Sequence, residues 1–298
     1  MPDPRSLVVQ SVLYGNDAAE IVRAAEALSH SVGRARDRGL ISEWMLQLGD
    51  CSPAEALTTA DRDAIAAFVQ AAGGALEYTF FGENLGSARG HNTLAQKSQT
   101  ELLLILNPDA LVAPDTIEEL AGAVTDGVGI AEARQIPLEH PKDFTKATGD
   151  TSWASTACAL TTRVAFDAVG GFDADTFFLY CDDVDYSWQL RLAGYRVVYE
   201  PAARVFHDKR LTVTADWPAS SAEVYYSAEA AIFLAYKYSR DDLVERLLEQ
   251  FRAEGSEAVL KAVAAFESKR DSGALPAQLD PQHSVAEFRD GNYAVHRF

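Results

Sequence analysis

Three stretches of this 298-residue chain hold side chains whose types and spacing suit metal or acid–base chemistry. The first is Asn107-Pro108-Asp109, which closes the apolar run Leu102-Leu103-Leu104-Ile105-Leu106. Proline has no N–H for a strand ladder, so the strand stops there. Asp109 is left at the carboxyl edge of the sheet, where a hard oxygen suits Mg²⁺ or Mn²⁺. The second is Asp182, Asp183 and Asp185 behind the aromatic run Phe177-Phe178-Leu179-Tyr180. Aromatic burial beside like charges raises a carboxylate toward the range of a working base. The third is His207, ending Arg204-Val205-Phe206, a plausible metal ligand if its imidazole is neutral. Each has a plainer alternative: a strand-ending turn, acids favoured by a helix dipole, or an ordinary core histidine. Trp153 and Trp188 likewise read as core or rim aromatics before ring-stacking platforms.

These side chains need a scaffold to bring them together. Residues 7–13, 44–48, 76–81 and 102–106 are short β-rich runs, alternating with helical spacing over 17–28, 61–71, 87–97 and 114–124. That alternation predicts a parallel sheet with crossover helices. Asp17, Asp61 and Asp115 stand near the helix starts. The turns after the strands, at Tyr14-Gly15-Asn16, Asp50-Cys51-Ser52 and Asn84-Leu85-Gly86, lie where open α/β sheets collect ligands.

Beyond Gly127 the pattern changes. Residues 134–151 read as a long loop, 156–162 as β-prone, and 163–169 as helical before a sharp Gly170-Gly171-Phe172-Asp173 turn. A helix follows the acids to about Ala193, with Gly194 in the helix-terminating position. Two short strands, 195–199 and 204–206, are expected around Pro201. The last third predicts helices over 222–238, 241–254 and 257–268, then a polar tail that is partly ordered at best. No internal repeat is evident.

The charge bounds the partners. With 44 acidic against 26 basic residues the formal net charge is −18, which repels polyphosphate backbones and anionic lipid, so nucleic acid is not expected. A diphosphate can still bind if a divalent cation stands between. Cys51, Cys158 and Cys181 lie far apart, which argues against a disulfide framework or zinc cage. No signal peptide or membrane-spanning run is legible. The expectation is a protein that is cytoplasmic or peripheral at the inner membrane.

Three segments then carry a family likeness: Glu83 through Asn92, the Leu102 to Val112 run, and GGFDADTFFLYCDDVDYSWQLRLAGYRVVYEPAARVFH from Gly170 to His207. In the order of glycines, aromatics and acids, the chain resembles the family 2 inverting glycosyltransferases, in the bacterial rhamnosyl- and galactofuranosyltransferase-like branch. The likeness covers roughly residues 6–210. It implies a GT-A fold, a Rossmann-like nucleotide-diphospho-sugar transferase with a mixed, mainly parallel α/β sheet flanked by helices. Residues 1–210 would form the catalytic domain, with a nucleotide-sugar half to about 125 and an acceptor half from 126, and 211–298 a helical extension and polar tail.

The resemblance also implies roles. Asp109 corresponds to the metal-binding acid, His207 to a histidine reaching the metal or diphosphate, and Asn107 to a neighbour of the nucleotide sugar. Asp183 corresponds to the catalytic base and Asp182 to its partner toward the acceptor. Tyr14, Asn16, Asp50 and Ser52 would hold base and ribose, while Asn84, Gly86 and Asn92 would line the diphosphate side. The implied donor is a UDP- or dTDP-sugar with Mg²⁺ or Mn²⁺, and the acceptor a glycan, lipid-linked or small molecule. Here the second-strand turn has Gly49 before Asp50, and Trp188-Gln189 replaces the family's Trp-Arg, leaving Arg191 as a phosphate or structural arginine.

A sugar nucleotidyltransferase is a rival, but it needs a glycine-rich basic loop after the first strand, and residues 13–17 offer one glycine and no Lys or Arg. A catalytically silent nucleotide-sugar or glycan-binding module with the same fold is the rival from another class; it would bind nucleotide without turnover. Tyr225, Tyr226, Ile232, Phe233 and Tyr236 in the C-terminal helices are expected either to pack on the catalytic domain, or to cover the acceptor site or form a homodimer face.

Overall fold

A computed structural model describes residues 3–137, 141–207 and 219–294. Its first half follows the expected alternation: β1 (Arg5–Leu13), α1 (Ala18–Asp37), β2 (Ile41–Asp50), α2 (Thr59–Ala71), β3 (Ala75–Phe80), α3 (Gly86–Ala95), β4 (Leu102–Leu106), β5 (Ala110–Val112) and α4 (Thr116–Ala123). Then come β6 (Val128–Ile136), β7 (Cys158–Thr162), α5 (Arg163–Val169), α6 (Asp182–Leu192) and β8 (Arg196–His207), followed by α7 (Ser221–Lys237), α8 (Asp241–Glu254) and α9 (Glu257–Asp271). The strands form one sheet in the order β3-β2-β1-β4-β7-β6-β8-β5. Strands β3, β2, β1 and β4 run parallel; β7 is antiparallel to both its neighbours, and β8 is parallel to β6.

Strands buried on both faces send alternate side chains to opposite sides. Leu7, Val9, Leu102, Leu104 and Leu106 enter one core with Leu28 and Val32 of α1, Ile65 of α2 and Leu120 of α4. Val8, Leu103 and Ile105 enter the other, with Ala88 of α3, Phe166 of α5 and Tyr186 of α6. Three layers result, and β1, β2, β4, β6 and β8 all end at one edge, where β7 begins.

Helix starts follow their side chains. Asp17 caps α1 through Ala19 N–H, at 2.7 Å. Asp61 is the third residue of a capping box whose N-cap is Thr58. Asp115 makes no cap hydrogen bond; its carboxylate takes Arg204 Nη2 at 2.7 and 3.1 Å instead.

Three expectations are corrected. The long loop is shorter, because β6 runs through Arg134 and Gln135 to Ile136. Its apolar pattern is broken by Glu132, a buried acid that pairs with Lys142 at 2.8 Å. Strand β8 is continuous rather than split: its ladder with β6 shifts register between Glu200 and Arg204, so Pro201 sits in a bulge where no ladder N–H is needed. The tail is folded back onto the body. Asp280 accepts from Ser284, Val285 and Ala286 N–H, and the rings of Phe288 and Tyr293 meet Trp188 and Trp153 at 5.2 and 5.3 Å.

The C-terminal helices follow the first of their expected alternatives in part: Ile232 and Phe233 are fully buried in a core shared with Phe177, Cys181 and Trp188, so these two pack within the chain. The division expected at residue 210 lies outside the described residues. Among these residues no helix is long and apolar enough to cross a membrane.

Candidate active site

The edge beyond β1 and β2 is built from two linked turns. Asn16 Oδ1 accepts Tyr14 N–H at 2.9 Å, and Ser52 Oγ accepts Gly15 N–H at 3.0 Å, so the ends of β1 and β2 are tied together. Tyr14 is 56% exposed and offers its ring to solvent at this edge. Asp50 is wholly buried: its oxygens take Ser52 N–H at 2.9 Å, Ala56 N–H at 2.7 Å and the Tyr78 hydroxyl. Burial alone would raise its carboxyl, yet these donors hold it below the usual range. Asp50 therefore braces the turn.

The start of α3 abuts the aromatic run. Asn84 Oδ1 accepts Gly86 N–H at 3.1 Å, and Phe178 carbonyl accepts Ser87 N–H at 3.1 Å. Gly86 has φ +71, and a Cβ there would stand 2.4 Å from the Phe178 oxygen, so only glycine fits. Asn92 ties down the turn at Gly170-Gly171: its amide donates to Phe172 carbonyl at 2.7 Å and accepts Phe172 N–H at 3.0 Å. Both ends of the amide thus hold the glycine turn against α3.

The candidate metal corner forms where β4, β6 and β8 end. His207 Nε2 lies 3.4 Å from Asp109 Oδ1 and 3.2 Å from Asn107 Nδ2, joining residues a hundred positions apart. The His207 side chain is 4% exposed and that of Asp109 37%, so the carboxylate faces the opening. Two ligands at about 2.1 Å from one ion, subtending 90 to 110°, stand about 3.0 to 3.4 Å apart, and the pair fits that requirement. Among the described residues no group of three or more His, Cys, Asp or Glu is placed to hold a metal. Asp109 and His207 are thus a pair that could contribute two ligands to an ion. Gln135, in the stretch read as loop, meets His207 Nδ1 through Oε1 at 3.1 Å.

The acids open α6 under local strain. Tyr180 and Cys181 both hold left-handed backbone, φ +67 and +55, directly before Asp182. Such non-glycine strain persists where surrounding packing over-determines it, often at functional sites. Asp182 is buried, which raises its carboxyl, and the Ser87 hydroxyl works against the rise. Asp183 is half-buried, with Val184 N–H on its Oδ1 at 2.8 Å. It lies in electrostatic reach of Glu132, whose carboxyl is raised by burial, lowered by Lys142 and raised again by Asp183. Asp185, by contrast, is fully buried against Lys237 Nζ at 2.7 Å and Gln189 Nε2 at 2.6 Å. Arg191 is structural, donating to Val285 carbonyl at 2.6 Å and Glu287 at 3.1 Å in the tail. Trp153 and Trp188 are core residues.

Among solved structures, GalNAc-T7 with UDP, GalNAc and Mn²⁺ matches with TM-score 0.65 and 14% identity over 95% of this chain and 57% of that one. The mannosyltransferase PcManGT of Pyrobaculum calidifontis, in complex with GDP-Man and Mn²⁺, matches with TM-score 0.57 and 18% identity, covering 93% and 83%. The fold is GT-A. A third structure with this likeness is S. aureus TarS, at TM-score 0.52 and 11% identity over 77% and 40%.

The sequence comparison points the same way over a shorter stretch. The N-acetylglucosaminyl-diphospho-decaprenol L-rhamnosyltransferase of Mycobacterium tuberculosis is 41% identical over 87 residues, 29% of this chain and 27% of that protein. The uncharacterized protein y4gI of Sinorhizobium fredii is 26% identical over 147 residues, 39% of this chain and 16% of its own length. The matched stretch spans about a quarter of the rhamnosyltransferase. No protein-family model matches the chain. The glycosyltransferase likeness read from the sequence motifs thus appears in both comparisons.

Within the GT-A frame, the motif residues fall into three linked groups: Tyr14 with Asn16, Asp50 and Ser52; Asn84 and Gly86 with Ser87 and Asp182; and Asn107 with Asp109 and His207. Two participants escaped the motif reading. Gln135 is one, and its only sequence signal is an amide two residues before Pro137. The other is Lys237, which meets Asp173 and Asp185 at 2.6 and 2.7 Å from an otherwise apolar helical stretch.

Proposed function

We propose that this chain is an inverting glycosyltransferase moving a sugar from a UDP- or dTDP-linked donor to an acceptor hydroxyl. The observation that carries the reading is the meeting of Asp109 and His207 at 3.4 Å, at the carboxyl edge of the sheet. Asp109 and His207 would hold Mg²⁺ or Mn²⁺, which when bound offsets charge on the departing diphosphate. Both the PcManGT and GalNAc-T7 structures contain Mn²⁺ beside a nucleotide or nucleotide sugar, which supports a divalent ion here.

Tyr14, Asn16 and Ser52 hold the base and ribose at the ends of β1 and β2, with Asp50 stiffening their turn. Asn84 and Gly86 shape the diphosphate side, and Asn107 faces the donor sugar. Asp183 takes the proton from the acceptor hydroxyl as its oxygen attacks the anomeric carbon from the face opposite the leaving group, so configuration inverts in one displacement. Asp182, buried beside Ser87, fixes the helix start from which Asp183 projects and lines the acceptor side.

The acceptor is a glycan, a lipid-linked sugar or a small molecule. The mycobacterial relative's name describes a lipid-diphosphate acceptor and a rhamnosyl donor group, which favours a lipid-linked acceptor and a place at the cytoplasmic face of the inner membrane. A thermal-shift panel of UDP, dTDP and GDP with and without Mn²⁺ tests the donor site. Ligand at about 100 times Kd stabilises by about 2.7 kcal/mol. A rise seen only with nucleotide and Mn²⁺ together supports the reading; no rise with any nucleotide overturns it. Donor hydrolysis or transfer then separates an enzyme from a silent binder.

A further inference from the structure

His207 makes two contacts whose chemistry differs. Its Nδ1 faces Gln135 Oε1 at 3.1 Å, and its Nε2 faces Asn107 Nδ2 at 3.2 Å and Asp109 Oδ1 at 3.4 Å. Gln135, Ser155 and His207 are all buried, at 5, 7 and 5% exposure, so water does not substitute freely for these partners. Gln135 Nε2 donates to Ser155 Oγ at 3.1 Å, which turns its amide oxygen toward the histidine. In this amide orientation the group facing Nδ1 is an oxygen, which only accepts, so the contact is a hydrogen bond when Nδ1 carries the imidazole proton. The lone pair of a neutral ring then lies on Nε2, where the Asn107 amide can donate to it and where Asp109 stands.

We infer that Gln135 is a positioning residue that holds His207 in the tautomer able to ligate a cation beside Asp109. The inference rests on the metal reading above, but the tautomer itself is a property of the protein alone. Gln135 acts from β6, whose ladder places it beside Val205 two residues before His207. Ser155, just ahead of β7, anchors the amide from the other side. The imidazole is thereby oriented from both sides before any ligand arrives. Metal-bound histidines commonly depend on such an outer partner, and its loss typically weakens metal affinity about 10- to 100-fold.

The test uses the full chain. Nitrogen-15 spectra of the histidine rings, with His207 assigned by a His207→Gln variant, report the tautomer directly. The expected result is a proton on Nδ1 and an unprotonated Nε2 in the unsubstituted protein, kept in Gln135→Glu and lost in Gln135→Leu. Titration with MnCl2 alone, followed by water-proton relaxation, should show affinity about 10- to 100-fold weaker in Gln135→Leu and within about threefold in Gln135→Glu. A proton on Nε2 in the unsubstituted protein overturns the inference. So does Gln135→Leu with unchanged tautomer and unchanged Mn²⁺ affinity. Should the leucine variant misfold, Ser155→Ala gives the second measurement, with partial loss of the Nδ1–H form expected and an unchanged spectrum counting against the role. Failure of the metal reading looks different: Asp109→Ala would then leave Mn²⁺ affinity unaltered while the histidine spectrum stayed as described.

Discussion

Lys237 Nζ lies 2.7 Å from Asp185 Oδ1, tying the last turn of α7 to the helix that carries Asp182 and Asp183. The same ammonium meets Asp173 at 2.6 Å, so one buried cation pins both sides of the aromatic run 177–180. Tyr238 adds its hydroxyl to Asp185 at 3.1 Å. The C-terminal helices are thus built into the support of the acidic segment 182–185.

Replacing Lys237 by Met should destabilise strongly, because Asp185 is 0% exposed and would keep its carboxylate without a cation. A cost of about 3 to 5 kcal/mol is expected in urea unfolding. The double variant Lys237→Met with Asp185→Asn should recover part of it; no recovery would mean the pair is not the source of the loss.

For Asp183→Asn, transfer should fall about 10²- to 10⁴-fold, the usual contribution of a positioned base. Nucleotide affinity should stay near that of the unsubstituted protein, since the proposed role of Asp183 is toward the acceptor. Transfer at the original rate would remove Asp183 from the mechanism.

Asp109→Ala should abolish the part of nucleotide affinity that depends on Mn²⁺ and leave the metal-independent part. Calorimetric titration with and without Mn²⁺ reads both. Equal Kd values under the two conditions in the unsubstituted protein would show that Asp109 has no metal to hold.

At Gly171, φ is +79 and an added Cβ would lie 2.6 Å from Asn92 Oδ1 and 2.8 Å from Phe166. Gly171→Ala is therefore expected to cost about 1 to 3 kcal/mol through backbone strain and the displaced Asn92 amide. Thermal melts of this variant and of Gly122→Ala, whose Cβ meets nothing within 4 Å, make the comparison. Equal melting temperatures would refute the steric argument.

Asp280 predicts a pH response in the tail. Burial works to raise its carboxyl, but the Ser284 hydroxyl and the N–H groups of Ala286, Val285 and Ser284 outweigh it and hold it at about 2. An unfolded aspartate titrates near about 3.9, so the folded value is the lower one. Its stabilisation is fully present above about pH 4 and is lost as pH falls through about 2. Amide resonances of Val285 and Ala286 should shift over that window, ahead of those in the sheet. In Asp280→Asn they should already be altered at neutral pH; unaltered amides would exclude the carboxylate as the tail's anchor.

Much was legible in the sequence because it rests on local or periodic signals. Strand β4 follows from its apolar run, helices α5 and α8 from apolar spacing and the glycines that end them, and the likeness to glycosyltransferases from motif order. Proline at 108 ends the strand wherever the chain lies, so Asp109 at a sheet edge needed no coordinates. What the tertiary structure decided are relations between distant residues. Asp50 and Asn92 have side chains suited to a ligand, and the fold engages both with backbone donors or acceptors, which no spacing announces. Strand β6 hid because a buried Glu132 breaks its pattern, and its partner Lys142 comes from a loop ten residues on. Gln135 and Lys237 are ordinary polar residues along the chain. They acquire roles only when β6 lies beside β8 and α7 packs on α6, because hydrogen bonds and buried ion pairs act over about 3 Å of space whatever the separation in sequence.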